Sequence, residues 1–286
     1  MKKSTLLHLR IPFSFFLLPV FLLACGIANH INGFQLGLAF FILHFFIYPA
    51  SNGYNSYFDK DKNSIGGLRN PPQVSKELYW TSLIFDGLGL LLGLLISLEF
   101  VGMAFIYGLV SKAYSHPSIR LKKMPLIGWL AAGIFQGYFT YILSYMAITG
   151  VGLEATFTER IQLPGILSSM LLLGSYPMTQ VYQHDEDAER GDMTISRLLG
   201  IKGTFHFTAI AFTISTFGFL YYFLYYDGIK IAGLFLLFLS PVLVYFSIWY
   251  LRVRKDTTNA DFSSTMRLNF ISAFMLNAFF LYLWLS

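Results

Sequence analysis

Ile229-Lys-Ile-Ala-Gly-Leu-Phe-Leu-Leu-Phe-Leu-Ser-Pro-Val-Leu-Val-Tyr-Phe-Ser-Ile-Trp-Tyr250 carries one charge, Lys230, near its start, and is followed at once by Arg252, Arg254 and Lys255. About 20 consecutive apolar residues in a helix cross the hydrocarbon core of a bilayer. Eight further runs have the same character, at about 11–30, 33–54, 78–98, 100–115, 125–149, 163–184, 203–226 and 267–285. The fourth is short and contains Gly102 and Gly108. Each is a continuous apolar run without the alternation of a barrel strand, and in lipid only a helix then satisfies every backbone group. The expected fold is an all-α integral membrane protein of nine transmembrane helices in one bundle.

Composition agrees. The 286 residues are 55% hydrophobic and 12% charged, with 30 Phe and 18 Tyr. Soluble domains carry about twice that share of charge, so a soluble globule, a disordered chain and a fibrous repeat are excluded. The one cysteine, Cys25, excludes a disulfide framework or a cysteine-built metal site. A net charge of +5 suggests nucleic acid until the charges are located. They sit in short loops between apolar runs, so the partner is the membrane surface and no nucleic acid is expected.

Those loops orient the chain. With the N-terminus cytoplasmic, every Lys and Arg except Arg160 and Lys230 falls on the cytoplasmic side, as the positive-inside rule requires. The expected location is a multi-pass integral membrane protein, in the plasma or inner membrane if bacterial. Leu22-Leu23-Ala24-Cys25 loosely resembles a lipoprotein cleavage site, but Leu23 fits that box poorly and the apolar run continues past Cys25. The first run therefore reads as a membrane helix.

Carboxylates are informative in such a chain. Two cytoplasmic clusters hold seven of them: Asp59 and Asp61 after the second span, and Asp185, Glu186, Asp187, Glu189 and Asp192 after the sixth. The four-span separation suggests a single domain, 1–286, built from a duplicated four-helix unit (about 11–115 and 125–250) plus a ninth span. If the helices continue past the membrane face, Asn55, Asp59 and Asn63 share a face, and so do Gln183 and Asp187. Two such oxygen-rich faces suit Mg²⁺ that keeps several waters and binds phosphate oxygens. The alternative is a set of solvated loop acids, with Glu186 and Arg190 forming an ordinary surface pair. A third loop, Lys112-Ala-Tyr114-Ser-His-Pro-Ser-Ile-Arg120-Leu-Lys122-Lys123, is basic. It either fixes topology or binds a leaving diphosphate, with Arg120 suited to multidentate contacts and Lys112 to a point contact. Lys112 lies nearest the membrane run and is the favoured cation over Lys122 and Lys123.

Together these residues resemble the UbiA-type family of intramembrane aromatic prenyltransferases. Asn55 and Asp59 match the start of that family's Asn-x-x-x-Asp-x-x-x-Asp motif. Asp187, Gly191 and Thr194 match the end of its second motif, and Tyr114-Ser-x-Pro-x-x-Arg-Leu-Lys122 resembles the segment after its fourth helix. Asn63 and Gln183 stand where the family has Asp, with Asp61 and Asp185 two residues away as candidate replacements. Gly66-Gly67-Leu68-Arg69-Asn70-Pro71-Pro72 departs from the family's usual Arg-Pro segment.

The resemblance implies a bundle around a central cavity open to lipid and a Mg²⁺-dependent transfer of an isoprenyl group from a prenyl diphosphate to a lipophilic aromatic acceptor of the quinone-biosynthesis type. It implies metal ligands among Asp59, Asp61, Asn63, Asp185 and Asp187, and diphosphate contacts from Asn55, Lys112, Arg120, Lys122 and Gln183. Catalytic roles fall to Lys112, Tyr114 and Arg120. Phe45, Phe46, Tyr54, Tyr57, Tyr138, Tyr141 and Tyr182 offer faces that stabilise a carbocation, or are ordinary packing and interfacial aromatics. The rivals are a terpene cyclase or a transferase to a non-aromatic acceptor on the same fold, and a transporter, which an intramembrane Asp86 favours.

Overall fold

The computed structural model describes residues 1–286. Nine long helices run in chain order: α1 (Lys3–Ile27), α2 (Gly33–Asp59), α3 (Lys76–Gly93), α4 (Leu98–Ser115), α5 (Pro125–Thr149), α6 (Glu159–Ser175), α7 (Ile195–Tyr226), α8 (Ile229–Lys255) and α9 (Phe262–Leu285). Six of them are long and apolar enough by themselves to cross a membrane, whereas α3, α4 and α6 have 18, 18 and 17 residues. Their outer faces are apolar and exposed, as at Phe217, Leu237 and Val244. In a lipid solvent this carries no penalty, because the tails are as apolar as the side chains.

Local sequence sets the helix ends. Asn32 caps α2 by accepting from the backbone N–H groups of Phe34 and Gln35, and Ser97 and Asp261 do the same for α4 and α9. Gly150 closes α5 in the left-handed region, φ 73°, which a glycine enters without strain. Inside the bundle, small residues let helices touch. A Cβ on Gly137 would lie 2.5 Å from the Cα of Ser169, so α5 and α6 cross at backbone contact. Here α5 widens into a π-turn over Phe135–Phe139. Ser169 Oγ serves the loosened backbone, accepting from Tyr138 N–H at 2.7 Å and donating to Gly133 C=O at 3.0 Å.

Three departures from regular helix position the functional end. α1 breaks at Arg10, φ 46°, just before Ile11-Pro12. α2 ends at Asp59 because Lys60 is left-handed, φ 51°. The sixth span is not one helix over 163–184: α6 stops at Ser175, and Pro177 opens a 3₁₀ stretch (Tyr176–Gln183) that leads into a short helix, His184–Glu189. Proline supplies no N–H for the ladder, which is why the regular α-helix stops there.

Candidate active site

The ends of α1, α2, α4, α5 and the α6 extension enclose a cavity of about 280 Å³. Its wall includes Asn55, Asp59 and Asp61 from the first acidic cluster, and Gln183, Asp187, Arg190 and Thr194 from the second. The basic loop adds Lys122, and Tyr114 and Tyr176 hydrogen-bond hydroxyl to hydroxyl across the wall. The two clusters that lie four spans apart in sequence therefore share one cavity.

The carboxylates are held by resident cations. Lys122 Nζ pairs with Asp59, whose side chain is 4% exposed. Arg190 pairs with Asp61 and donates from Nη2 to Asp187 Oδ1 at 3.0 Å, bridging the two clusters. Arg120 donates from Nε and Nη2 to the two carboxylate oxygens of Asp192, each at 2.9 Å, which is the bidentate fork that guanidinium favours. Asn55 Oδ1 accepts from Ser115 Oγ at 2.7 Å, and Glu186 Oε1 accepts from Lys62 N–H at 2.9 Å, which fastens the loop after α2 to the second cluster. Thr194 caps α7 and donates to Asp187 at 3.4 Å.

Burial pushes the Asp187 carboxyl above the usual carboxylate range, a rise that the hydrogen bond and charge of Arg190 only partly offset. At Asp192 burial also pushes upward. The hydrogen bond from Arg120 and the charges of Lys122, Arg120 and Arg190 outweigh it, and the carboxyl lies below its ordinary value.

Several sequence expectations are displaced. Asn63 is exposed and absent from the cavity wall, because the left-handed Lys60 ends α2 and takes it off the Asn55–Asp59 face. The same turn carries Asp61 into the wall instead. Asp185 is exposed, on the opposite side of the short helix from Asp187. Lys112 does not reach the cavity. It pairs with Asp86 of α3 and lies 5.4 Å from the centre of the Tyr54 ring, so the more distant Lys122 takes the cavity position. Arg120 stands behind the wall, 3.9 Å from Asp59. Of the seven aromatic residues singled out from sequence only Tyr182 lines the cavity, and the others there are Phe13, Tyr107, Tyr114, Phe135 and Tyr176. Arg190, Asp192 and Arg10 are site residues that the sequence reading counted as loop charge. For Arg190 and Asp192 the available signal was their place in the second acidic cluster; Arg10 gave none in sequence.

No group of three or more His, Cys, Asp or Glu side chains is ready to hold a metal by itself. The donors on the wall are nonetheless carboxylate and amide oxygens, from Asn55, Asp59, Asp61, Gln183 and Asp187. Magnesium is commonly held by one or two carboxylates with phosphate oxygens and water completing its shell, so this donor set fits it. A second, apolar cavity of about 130 Å³ lies between α1, α6, α7, α8 and α9, lined by Phe16, Leu23, Leu172, Phe219, Leu239 and Phe280 among others.

Residues 15–275 match the model of the UbiA prenyltransferase family. The chain belongs to the UbiA prenyltransferase family. It is accordingly a multi-pass membrane prenyltransferase that draws its isoprenyl group from a prenyl diphosphate. Solved UbiA homologues share the fold of this member. One from Archaeoglobus fulgidus, bound to DMAPP and Mg²⁺, is 18% identical with a TM-score of 0.70, over 98% of this chain and 99% of the other. One from Aeropyrum pernix K1, in apo form, is 17% identical with a TM-score of 0.73, over 94% and 97%. A digeranylgeranylglyceryl phosphate synthase is 19% identical with a TM-score of 0.63, over 99% of both chains. No curated protein matches the sequence. At these identities the structural likeness speaks for the UbiA fold alone.

Proposed function

We propose that the protein transfers an isoprenyl group to a lipophilic aromatic acceptor within the membrane, with Mg²⁺ held at the cavity by Asp59, Asp61 and Asp187 and with Asn55 and Gln183 beside it. The observation that carries this reading is the meeting of Asp59 and Asp187 on one cavity wall with Lys122 and Arg190 in contact with them. The relatives from Archaeoglobus fulgidus bound to DMAPP or GPP with Mg²⁺ support it.

Lys122 and Arg190 neutralise the carboxylates in the free protein, and both are placed to turn toward diphosphate oxygens. As the bond from the allylic carbon to oxygen breaks, the electron pair leaves on the diphosphate, where these two cations stabilise it. Mg²⁺, when bound, adds positive charge at the same leaving group. Arg120 does not touch substrate in this scheme: it holds Asp192 by its bidentate fork, so that Lys122, 4.0 Å from Asp192, keeps Asp59 as its nearer partner. Tyr114 and Tyr176 close the wall, and the ring faces of Phe13, Tyr107 and Tyr182 favour an allylic cation over water. The apolar second cavity suits the isoprenyl tail. We read residues 1–286 as one such unit, with the N-terminus and the cavity mouth cytoplasmic.

A non-aromatic acceptor is the second reading, and likeness to a digeranylgeranylglyceryl phosphate synthase favours it. The transporter reading loses its motive, because Asp86 is paired with Lys112.

Purified protein is expected to melt at a higher temperature with a prenyl diphosphate and Mg²⁺ together than with either alone. Labelled prenyl diphosphates of several lengths, offered with a panel of acceptors, should give a prenylated product by mass spectrometry, and thorough chelation should abolish it. Turnover that survives chelation would remove the metal from the scheme.

The two replacement carboxylates should separate. Asp61→Asn is expected to lose turnover by about tenfold or more, since it removes a charge from the cavity wall. Asp185→Asn should stay near wild type. Equal impairment of both would mean that Asp185 turns inward when substrate binds.

Cysteines placed at Asn63 and Lys230 should react with a membrane-impermeant reagent from opposite sides, with Asn63 labelled from the cytoplasm. The native Cys25 is buried and gives little background. Labelling of both from one side would refute the orientation.

A further inference from the structure

Outside the cavity, the basic side chains at one end of α7 and α8 stand without partners. No ion pair of the protein includes Lys202, Arg252, Arg254 or Lys255, all of them exposed at the end of the bundle that holds the cavity. The exposed acids nearest in the chain are Asp185, Glu189, Asp256 and Asp261, and they pair with none of these cations. Asp256 and Asp261 are committed to turns. Asp256 Oδ1 accepts from Thr258 N–H at 2.9 Å, and Asp261 accepts from Ser264 N–H at 2.8 Å and Ser264 Oγ at 3.2 Å.

Two of these cations share one groove. Phe205 of α7 stacks on Tyr250 of α8 with ring centres 5.7 Å apart, and His206 meets the same tyrosine edge-on at 5.5 Å. Arg254 lies over that ring, 6.0 Å from its centre. Residues four apart share a helix face. One turn nearer the cavity end, Lys202 therefore succeeds His206 on α7, as Arg254 succeeds Tyr250 on the antiparallel α8. The four side chains rim the groove, and none of them lines the cavity. Space is left beside Lys202: a Cβ on Gly200 would meet nothing within 4 Å, and one on Gly203 only Leu199 Cβ, at 3.5 Å. Toward the membrane centre the same side of α7 continues as Ile210, Ile214 and Phe217, all exposed.

We propose that this groove binds one anionic phospholipid of the bilayer, its headgroup phosphate between Lys202 and Arg254 and an acyl chain along Ile210, Ile214 and Phe217. Arginine gives phosphate a multidentate contact and lysine a point contact. Cations beside a membrane helix attract anionic lipid. The tyrosine ring of Tyr250 lies at the headgroup level, where such rings rest. Phe217 is 15 residues beyond Lys202, or about 22 Å along the helix, which carries the contact from the headgroups toward the middle of the bilayer. A zwitterionic lipid brings its own cation to the rim, where it meets Lys202 and Arg254 unfavourably. The preference is therefore for a headgroup of net negative charge.

The test uses the full chain in detergent, titrated with phosphatidylglycerol or with phosphatidylcholine of the same acyl chains, and native mass spectrometry counts the lipids retained. The wild type is expected to bind a first phosphatidylglycerol roughly 10- to 30-fold more tightly than phosphatidylcholine, the scale for two basic residues at a headgroup. The double variant Lys202→Gln with Arg254→Gln should bring the two lipids within about threefold. Arg252→Gln with Lys255→Gln removes the same charge from the same end and should keep the preference. Both double variants should melt and turn over like the wild type, since all four side chains are exposed and off the cavity wall. A large excess of geranyl diphosphate should leave the bound phosphatidylglycerol in place.

Absence of a preference in the wild type overturns the proposal, as does a preference that survives in Lys202→Gln with Arg254→Gln. Equal loss in the Arg252→Gln with Lys255→Gln variant overturns it too, because the attraction would then belong to the whole basic end and not to this groove. Displacement of the lipid by geranyl diphosphate would make the groove a docking place for the donor, against the proposal. If the Lys202–Arg254 double variant fails to fold, the single variants Lys202→Gln and Arg254→Gln decide, each expected to lose about half of the preference on a logarithmic scale. Loss or retention of lipid leaves the prenyl-transfer reading untouched, since that reading rests on the cavity.

Discussion

Asp59→Ala is expected to lower turnover roughly 100- to 1,000-fold, the scale for removing one preorganised stabiliser of transition-state charge. Asp187→Ala should lose a similar amount, and the double variant should be little worse than either single one. The two residues arrive from α2 and from the extension of α6, and both lie on the wall of one cavity. Arg190 donates to Asp187 and pairs with Asp61, while Lys122 pairs with Asp59 and lies 4.0 Å from Asp192. The carboxylates thus belong to one connected set of charges, and losses within a set that acts as a unit do not add. All three proteins should insert and fold, because the changes fall at the aqueous end of the bundle. Steady-state turnover with a fixed donor and acceptor, paired with a melting curve for each protein, checks this. Losses that add in free energy would mean two independent sites.

The second large effect concerns stability. Asp86 and Lys112 pair between α3 and α4, with side chains 14% and 18% exposed. Lys112 also lies against the Tyr54 ring of α2, so this pair joins three helices. Removing one partner strands the other charge in an apolar setting. Asp86→Leu and Lys112→Met are each expected to destabilise the protein by about 3–5 kcal/mol. The double variant Asp86→Leu with Lys112→Met should recover most of that loss, because an apolar pair of similar volume has no charge to desolvate. It should also retain prenyl transfer, since neither residue reaches the cavity wall. Thermal unfolding and turnover on the same preparations separate the outcomes. A stable but inactive double variant would return Lys112 to the diphosphate.

The contrast between Lys112 and Lys122 shows where sequence reading stops. Both are basic, Lys112 in the last turn of α4 and Lys122 in the loop after it, and Lys112 is nearer the membrane. Proximity along the chain favoured Lys112. The residue that decides the matter is Asp86, whose place opposite Lys112 depends on how α3 packs against α4. Asp185 lies on the exposed side of the short helix, away from Asp187. Asn63 fails for a related reason. A four-residue spacing aligns side chains only while the helix continues, and one left-handed residue at Lys60 ends it.

The sequence by itself determined the nine membrane helices, the family, and the two acidic segments that reach one end of the bundle. Those properties follow from local chemistry. Lipid accepts only backbone that satisfies its own hydrogen bonds, so each apolar run is committed to helix wherever it sits. Only the tertiary structure decided which charges face the cavity and which pair elsewhere. Arg190 meets Asp61 across 129 residues, Arg120 meets Asp192 across 72, and Arg10 is held by Gly66 across 56. A charge in a low-dielectric interior is governed by whichever partner the fold brings within about 4 Å, and that distance is set by helix packing and by breaks such as Arg10, Lys60 and Pro177.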